Sequence, residues 1–305
     1  MKKIYFLEYF NFSEKQLERL NALGEVKMFD GATEKDIKEA EKKADVIVVD
    51  WLDPTDIITK MKKKSFVCLP FTGYGWITTL KEAMDKGVTF SNTPNYSTNA
   101  VAEHHLALML ACAKNVAQCD AGLKKGDVPT NKNIELSGKT VGIIGLGHIG
   151  FRLAELLKTF NVKILTTNSS YKNVEGIKDV KLETLLKQSD FVCVTCALNE
   201  QTKNMLAEKQ LKMMKKDAIL TATTGGVIDL IALEKLLGKG KLFGVGLEEF
   251  MDMTDVPERL INHPKVTCTF HRAYNTIEAE ENRLNMCIDN IEAFLKGKPI
   301  NLIKF

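Results

Sequence analysis

The chain has 305 residues, and at roughly 150 residues per domain that length predicts about two domains. Lys plus Arg number 42 against 39 for Asp plus Glu, and a net charge of +3 gives no electrostatic case for nucleic acid or an anionic membrane surface. Hydrophobic residues at 45% and charged residues at 27% are ordinary for a soluble globular chain and exclude global disorder.

The start, Met1 to Glu8, is basic and then apolar, but Glu8 interrupts the apolar run far too early for a signal peptide. The longest apolar helix-like run, Leu106 to Ala113, is much too short to span a bilayer. A soluble, cytoplasmic protein is therefore expected, with no nucleic acid and no membrane as partner. The seven cysteines are odd in number and scattered, unlike a disulfide framework. Cys193 and Cys196 form a lone CxxC in a strand-like run. Residues three apart on a strand point to opposite faces, so no metal site is expected there.

In chain order, Ile4–Leu7 is strand-like and Ser13 to Gln16 is a helix entry. Val26–Phe29 is a second strand, and Thr33–Lys43 a charged helix with Thr33 as N-cap. Val46–Val49 is apolar and β-branched, as a buried parallel strand requires, and Phe66–Leu69 and Val88–Phe90 continue the series. A long apolar helix is expected from Thr98 to Cys119, then a polar, irregular stretch from Gly122 to Ser137. A second series of strands follows near Val141–Ile144, Val162–Leu165, Phe191–Val194, Ala218–Leu220 and Leu242–Val245. The amphipathic stretch from Ile277 to Leu295 is long enough to return to the first domain. The alternation predicts an α/β protein with two doubly wound parallel-sheet domains: a Rossmann-type cofactor domain, 99–277, inserted into a flavodoxin-like substrate domain, 1–98 plus 278–305.

The strand Thr140–Ile144 runs into Gly145-Leu146-Gly147-His148-Ile149-Gly150, and an apolar helix follows. A GxGxxG placed between strand and helix is a dinucleotide fingerprint. The first glycine allows the tight turn, the second lets a pyrophosphate approach the backbone, and the third lets helix and strand pack closely. Eighteen residues beyond Gly150 stands Asn168, where an NAD site normally has an acid for the ribose 2′-hydroxyl. Asn168, Ser169 and Ser170 can donate to a 2′-phosphate and Lys172 can neutralise it. The reading therefore favours NADP over NAD, although an asparagine can also bond a hydroxyl.

Four segments resemble the D-isomer-specific 2-hydroxyacid dehydrogenases: Asn92 to His104, Leu136 to Thr140, Gly225-Gly226-Val227-Ile228-Asp229, and Thr269 to Thr276. The resemblance is specific from about residue 72 onward. It implies the same two-domain fold, a homodimer, a small-molecule substrate, and hydride transfer between a nicotinamide and the carbon bearing a 2-hydroxyl or 2-oxo group. It makes His271 the proton-exchanging residue, which suits an imidazole near neutral pH. The family's arginine before the Gly-Gly pair is replaced by Thr224, which cannot form a bidentate charged pair with a carboxylate. Arg272 is the one arginine that the motif places near the site, although adjacent residues on a strand point oppositely. The family's acid falls on Met253, leaving Asp252 or Asp255 to serve the histidine. Glu248 falls where the family has an Asp near the nicotinamide amide. Ala197, Thr202, Ala222 and Thr223 match cofactor contacts, and Gly73, Tyr74 and Gly75, with Trp76, match the substrate loop. Two functions remain: an NAD(P)-dependent oxidoreductase reducing a 2-oxo acid or related carbonyl compound, or a cofactor-binding regulator that has lost the chemistry.

Overall fold

The structure is a computed structural model. It describes all residues except 62–64, 76, 128–131, 171, 249–255 and 305, and the side chain of residue 56. In chain order the elements are β1 (Lys3–Phe6), α1 (Glu14–Leu23), β2 (Glu25–Met28), α2 (Glu34–Lys43), β3 (Val46–Val48), α3 (Thr55–Thr59), β4 (Phe66–Leu69), α4 (Leu80–Asp85), β5 (Thr89–Asn92) and α5 (Thr98–Ala113). There follow α6 (Val116–Lys124), β6 (Thr140–Ile144), α7 (His148–Leu157), β7 (Lys163–Thr167), β8 (Ile177–Asp179), α8 (Leu182–Gln188), β9 (Phe191–Val194) and α9 (Glu208–Met213). The chain ends with β10 (Ile219–Ala222), α10 (Leu230–Gly238), β11 (Gly244–Leu247), α11 (Glu258–Ile261), β12 (Val266–Cys268) and α12 (Ile277–Leu295). These form two compact units, Met1–Ser97 with Thr276–Phe305, and Thr98–Asn275.

The first unit holds a parallel sheet in the order β2-β1-β3-β4-β5, the flavodoxin-like winding. Both faces of its inner strands are covered, which is why β1, β3 and β4 read as largely apolar runs. Tyr5, Ile47, Val67 and Phe90 enter one core, whereas Ile4, Phe6, Val48 and Phe66 enter the other. The second core is closed by α12, whose Leu284, Ile288 and Ile291 are buried, each contributing about 1.5–3 kcal/mol. Thr276 caps α12, accepting from the Ala279 N–H at 3.1 Å.

The second unit holds a seven-stranded parallel sheet, β12-β11-β10-β9-β6-β7-β8. The order reverses between β6 and β9, and in open α/β sheets ligands bind outside the strand carboxyl ends at such a switch point. Both sheets match the doubly wound architecture expected from the sequence.

Four local expectations are corrected. The long helix from Thr98 to Cys119 is two helices, α5 and α6, because Asn115 adopts the left-handed region at φ 51°. The stretch from Gly122 is not all irregular, since α6 continues to Lys124. The helix after the glycine loop begins at His148, with Gly147 as N-cap. The short edge strand β8, half-exposed and without an apolar run, was not anticipated. Of the CxxC pair, Cys193 lies on β9 and Cys196 beyond its end, and all seven thiols are free. Among the described residues no helix is long and apolar enough to cross a membrane, and no group of three or more His, Cys, Asp or Glu could hold a metal ion.

Candidate active site

The site residues of the second unit lie at the carboxyl edge of its sheet. At the end of β6, Gly145 has φ 96°, and a Cβ there would lie 2.7 Å from the Cys196 backbone. Only glycine meets both conditions. A Cβ on Gly150 would run into the Gly145 carbonyl, so this glycine sets the approach of α7 to the loop. Above Gly147 the space is open. No side chain caps α7 and no acid stands in its first turn. Its free N–H groups and positive dipole end therefore suit an anion. Gly147 and His148 are exposed, and Ile149 is half-buried. Leu146, Gly147, His148, Phe151 and Lys172 help to line a cavity of about 380 Å³.

Asn168 has a task that sequence reasoning missed. Its Oδ1 accepts the Leu146 N–H, and its Nδ2 donates to Thr166 Oγ1 at 3.3 Å. Lys172 Nζ donates to the Leu146 carbonyl at 2.7 Å. The Leu146 peptide is thus clamped on both sides, and a cation stands beside the loop. Ser169 and Ser170 are exposed, and no carboxylate occurs between Asn168 and Val174. Glycines open to an anion, an uncapped helix start and a lysine ammonium form a cradle that fits a dinucleotide phosphate.

The far end of the sheet is stitched by Glu248. Its N–H donates to the Ala222 carbonyl at 3.1 Å, and its carbonyl accepts the His271 N–H at 2.8 Å. Its buried carboxylate accepts the Ala273 N–H at 2.7 Å. Glu248 therefore brackets the turn that carries His271. The imidazole is half-buried, its ring centroid 5.2 Å from that of Tyr274. Its Nδ1 is buried and has no hydrogen-bond partner among the described residues. His271 also adopts φ 41°, the left-handed backbone region that costs a non-glycine residue energy and clusters at functional sites.

That conformation removes the strand-alternation argument against Arg272, because β12 ends at Cys268 and the chain is turning. Arg272 is exposed, and no ion pair forms on it among the described residues. Three other arginines are occupied: Arg19 by Asp289 and Glu292, Arg152 by Glu155, and Arg283 by Asp50 at 2.5 Å and Glu280 at 2.8 Å. Thr224 is half-buried, in the loop after β10. Thr202 Oγ1 donates to the Ala197 carbonyl at 2.7 Å, closing a turn that joins two nominated contacts. Asp229, at the end of the Gly-Gly segment, is the N-cap of α10. Asp252, Met253, Asp255 and Trp76 lie outside the described residues.

Two histidines on α5 reach this edge. His104 Nε2 is 2.8 Å from Thr269 Oγ1, and His105 Nε2 is 2.8 Å from Thr223 Oγ1. Burial lowers both imidazoles below the ordinary value, and pushes His105 to about 3. In the first unit, Gly73 and Gly75 have open space where a Cβ would sit. Tyr74 packs partly against that unit's core.

The NAD-binding domain of the D-isomer specific 2-hydroxyacid dehydrogenases matches residues 106–273. The chain is 33% identical over 282 residues to a glyoxylate reductase of Thermococcus litoralis, covering 87% of this chain and 85% of that one. It is 36% identical over 234 residues to a glyoxylate reductase of Pyrococcus furiosus, covering 72% and 69%. Among solved structures, an acyclic imino acid reductase in complex with NADPH and D-Arg superposes with a TM-score of 0.89 at 31% identity, covering 99% of this chain and 100% of that one.

Proposed function

We infer the reaction from the family: the chain belongs to the D-isomer specific 2-hydroxyacid dehydrogenases, and it is an NAD(P)-dependent oxidoreductase acting between CH–OH and carbonyl groups. Within that class the reading is an NADPH-linked reductase of a small 2-oxo acid, or of the imine such an acid forms with an amine. One observation carries it: in the same unit, an uncapped glycine-lined helix start lies at the switch point of a sheet whose other end holds His271 through Glu248. The nicotinamide, when bound, supplies the hydride. His271 supplies the proton to the substrate oxygen or nitrogen. Asp252 is the acid assigned to it, supported by its place one residue from the family's acid. Glu248 orients the His271 turn and stands toward the nicotinamide end.

NADP is preferred over NAD because Lys172 stands at the loop and no carboxylate follows β7 up to Val174. A ribose 2′-phosphate would meet a cation there instead of a repelling acid. Ser169 and Ser170 are the exposed hydroxyls beside it. Arg272 is assigned the substrate carboxylate in place of the arginine that the resemblance leads one to expect at Thr224. Imine reduction is favoured by Thr224, a neutral hydroxyl where the family has a cation, and by the imino acid reductase bound to NADPH among the similar structures. A neutral residue repels a protonated imine less than a guanidinium does. A homodimer is supported by α6, which buries no residue of its own and exposes Val116 and Leu123. Seven free thiols support a reducing, cytoplasmic setting.

The test is NADPH oxidation followed at constant enzyme with a panel of 2-oxo acids, each with and without ammonium or methylamine. Turnover on at least one acid is expected, with NADPH preferred to NADH. Failure of both nucleotides across the panel, with the amines included, would overturn the reading.

A further inference from the structure

The helix α5 lies unusually close to β11. A Cβ on Gly246 would stand 2.9 Å from Leu108 Cβ, and one on Gly244 would stand 3.0 Å from Cys112 Cβ. Leu108 and Cys112 are one turn apart, so the two glycines seat one stripe of α5 on β11 as it runs antiparallel to the strand. One turn before Leu108 come His104 and His105, level with the carboxyl end of the sheet. Consecutive helix residues diverge by about 100°. A helix lying over β11 therefore sends His105 to one flanking strand, β10, and His104 to the other, β12. The hydrogen bonds fall that way: His105 to Thr223, past the end of β10, and His104 to Thr269, past the end of β12. Thr223 immediately precedes Thr224, and Thr269 stands two residues before His271.

We propose that His104 and His105 are positioning residues, a pair of imidazoles on one helix that sets where Thr224 and His271 stand relative to each other. The inference rests on the reading of His271 as the proton donor.

The pair is suited to this task because it does not carry charge near neutral pH. His105 is fully buried, and both burial and the neighbouring His104 hold it neutral. A neutral imidazole has one donor and one acceptor nitrogen. Its Nδ1 lies 3.4 Å from Thr221 Oγ1 and its Nε2 2.8 Å from Thr223 Oγ1, so a neutral ring donates to one hydroxyl and accepts from the other. Thr221 and Thr223 are thus both held on the α5 side. Between them Ala222, the last residue of β10, faces the other way.

The experiment uses the full chain and four variants, His104→Leu, His105→Leu, Thr223→Val and His105→Leu with Thr223→Val, with His105→Gln as the conservative control. Loss of one hydrogen bond is expected to lower kcat about tenfold in either histidine variant. NADPH affinity, titrated by nicotinamide fluorescence, should stay within about twofold in the single His104 and His105 variants, because neither residue is assigned to the cofactor and the glycine loop is untouched. His105→Leu and Thr223→Val should cost the same, with the double variant no worse than either, and His105→Gln should recover most of the loss. A readout without turnover is the long-range 1H–15N spectrum of histidine-labelled protein, in which the His271 ring signals should shift in His104→Leu. The pair is only structural if both leucine variants lower Tm while kcat, KM and the His271 signals stay as in the wild type. Additive losses in the double variant would likewise overturn the proposal. If the wild type binds NADPH yet turns over no substrate, the assigned reaction fails by itself, and the His271 signals still decide the positioning claim.

Discussion

The two ends of one sheet, the β6–α7 loop and the β10–β12 edge, were built by different rules. The loop is local: three glycines within six residues fix it, Gly145 by its dihedral angle and the nearby Cys196 backbone, Gly150 by the Gly145 carbonyl, and Gly147 by the open space it leaves at the helix start. The edge is assembled from afar. His104 and His105 reach it across 165 and 118 residues of sequence, and Glu248 brackets a turn 25 residues away. The loop carries the whole GxGxxG pattern, whereas at the edge the resemblance puts Thr224 at the family's arginine and Met253 at its acid. A phosphate grip tolerates little change because backbone geometry does the binding. A substrate edge can be rebuilt from new side chains while the sheet beneath it stays the same.

The comparison is broken most sharply by removing the one residue that the edge cannot replace. His271→Asn should lower kcat by about 1,000-fold at unchanged NADPH affinity, as expected for a lost general acid. Retained turnover would mean that the proton comes from elsewhere. The mirror experiment is Gly145→Ala. It forces a side chain into φ 96° against the Cys196 backbone. It should cost roughly 1–3 kcal/mol of stability and weaken NADPH binding. The two variants should separate cleanly: kcat for the edge, Kd for the loop.

Smaller effects sharpen the cofactor and substrate assignments. Lys172→Ala should weaken NADPH about tenfold, the loss of one charge-assisted hydrogen bond, and leave NADH nearly unchanged. Asn168→Asp keeps an acceptor for the Leu146 N–H and adds a charge beside the ribose, so it should shift preference toward NADH. Equal losses for both nucleotides would show that Lys172 serves only to hold the Leu146 carbonyl. Arg272→Met should raise KM for a 2-oxo acid roughly fivefold, the modest effect of an exposed charge, and Thr224→Arg should restore it. No change in either would remove Arg272 from the substrate.

The same division explains what could be read from the sequence. The strands were legible wherever both faces are buried, as in Val46–Val48, Phe66–Leu69 and Phe191–Val194, because an unbroken apolar run has few other uses. The edge strand β8 was not, since half-exposed Ile177–Asp179 has no such run. The break between α5 and α6 was hidden because an asparagine, rather than a glycine or proline, takes the left-handed position. The loop glycines were legible one by one. The clamp by Asn168, the bracket by Glu248 and the two histidine ties were not, because each depends on which strand ends become neighbours. The alternation argument about Arg272 failed for a related reason: His271 turns the chain at φ 41° just where a strand was assumed.

The smallest effect asks whether the edge has a stability signature that the loop lacks. His105 is held at about 3 in the fold by burial, against about 6.5 in an unfolded chain. Below pH 6.5 the unfolded state takes up the proton and the folded state does not, so the stability contributed by neutral His105 is full above that pH. It falls as pH falls, by about 1.4 kcal/mol per unit between roughly pH 6 and pH 4. Carboxylates held low by partners, such as Asp190 beside Lys215 and Glu292 beside Lys296 and Arg19, have the same sign but act only below the usual carboxylate range. Glu8 and Asp50, raised by burial, act above the usual carboxylate range with the opposite sign, so only a difference between variants assigns the interval from pH 6.5 to pH 5 to one histidine. His104 and His263 are also lowered by burial and contribute in the same direction. The difference between wild type and His105→Leu isolates the share of His105, together with its coupling to His104. Urea unfolding at pH 7, 6 and 5 should show a steep fall for the wild type and a shallower one for the variant. Parallel lines would mean that the buried imidazole meets its proton in the folded state, and that the edge is more open to water than its packing implies.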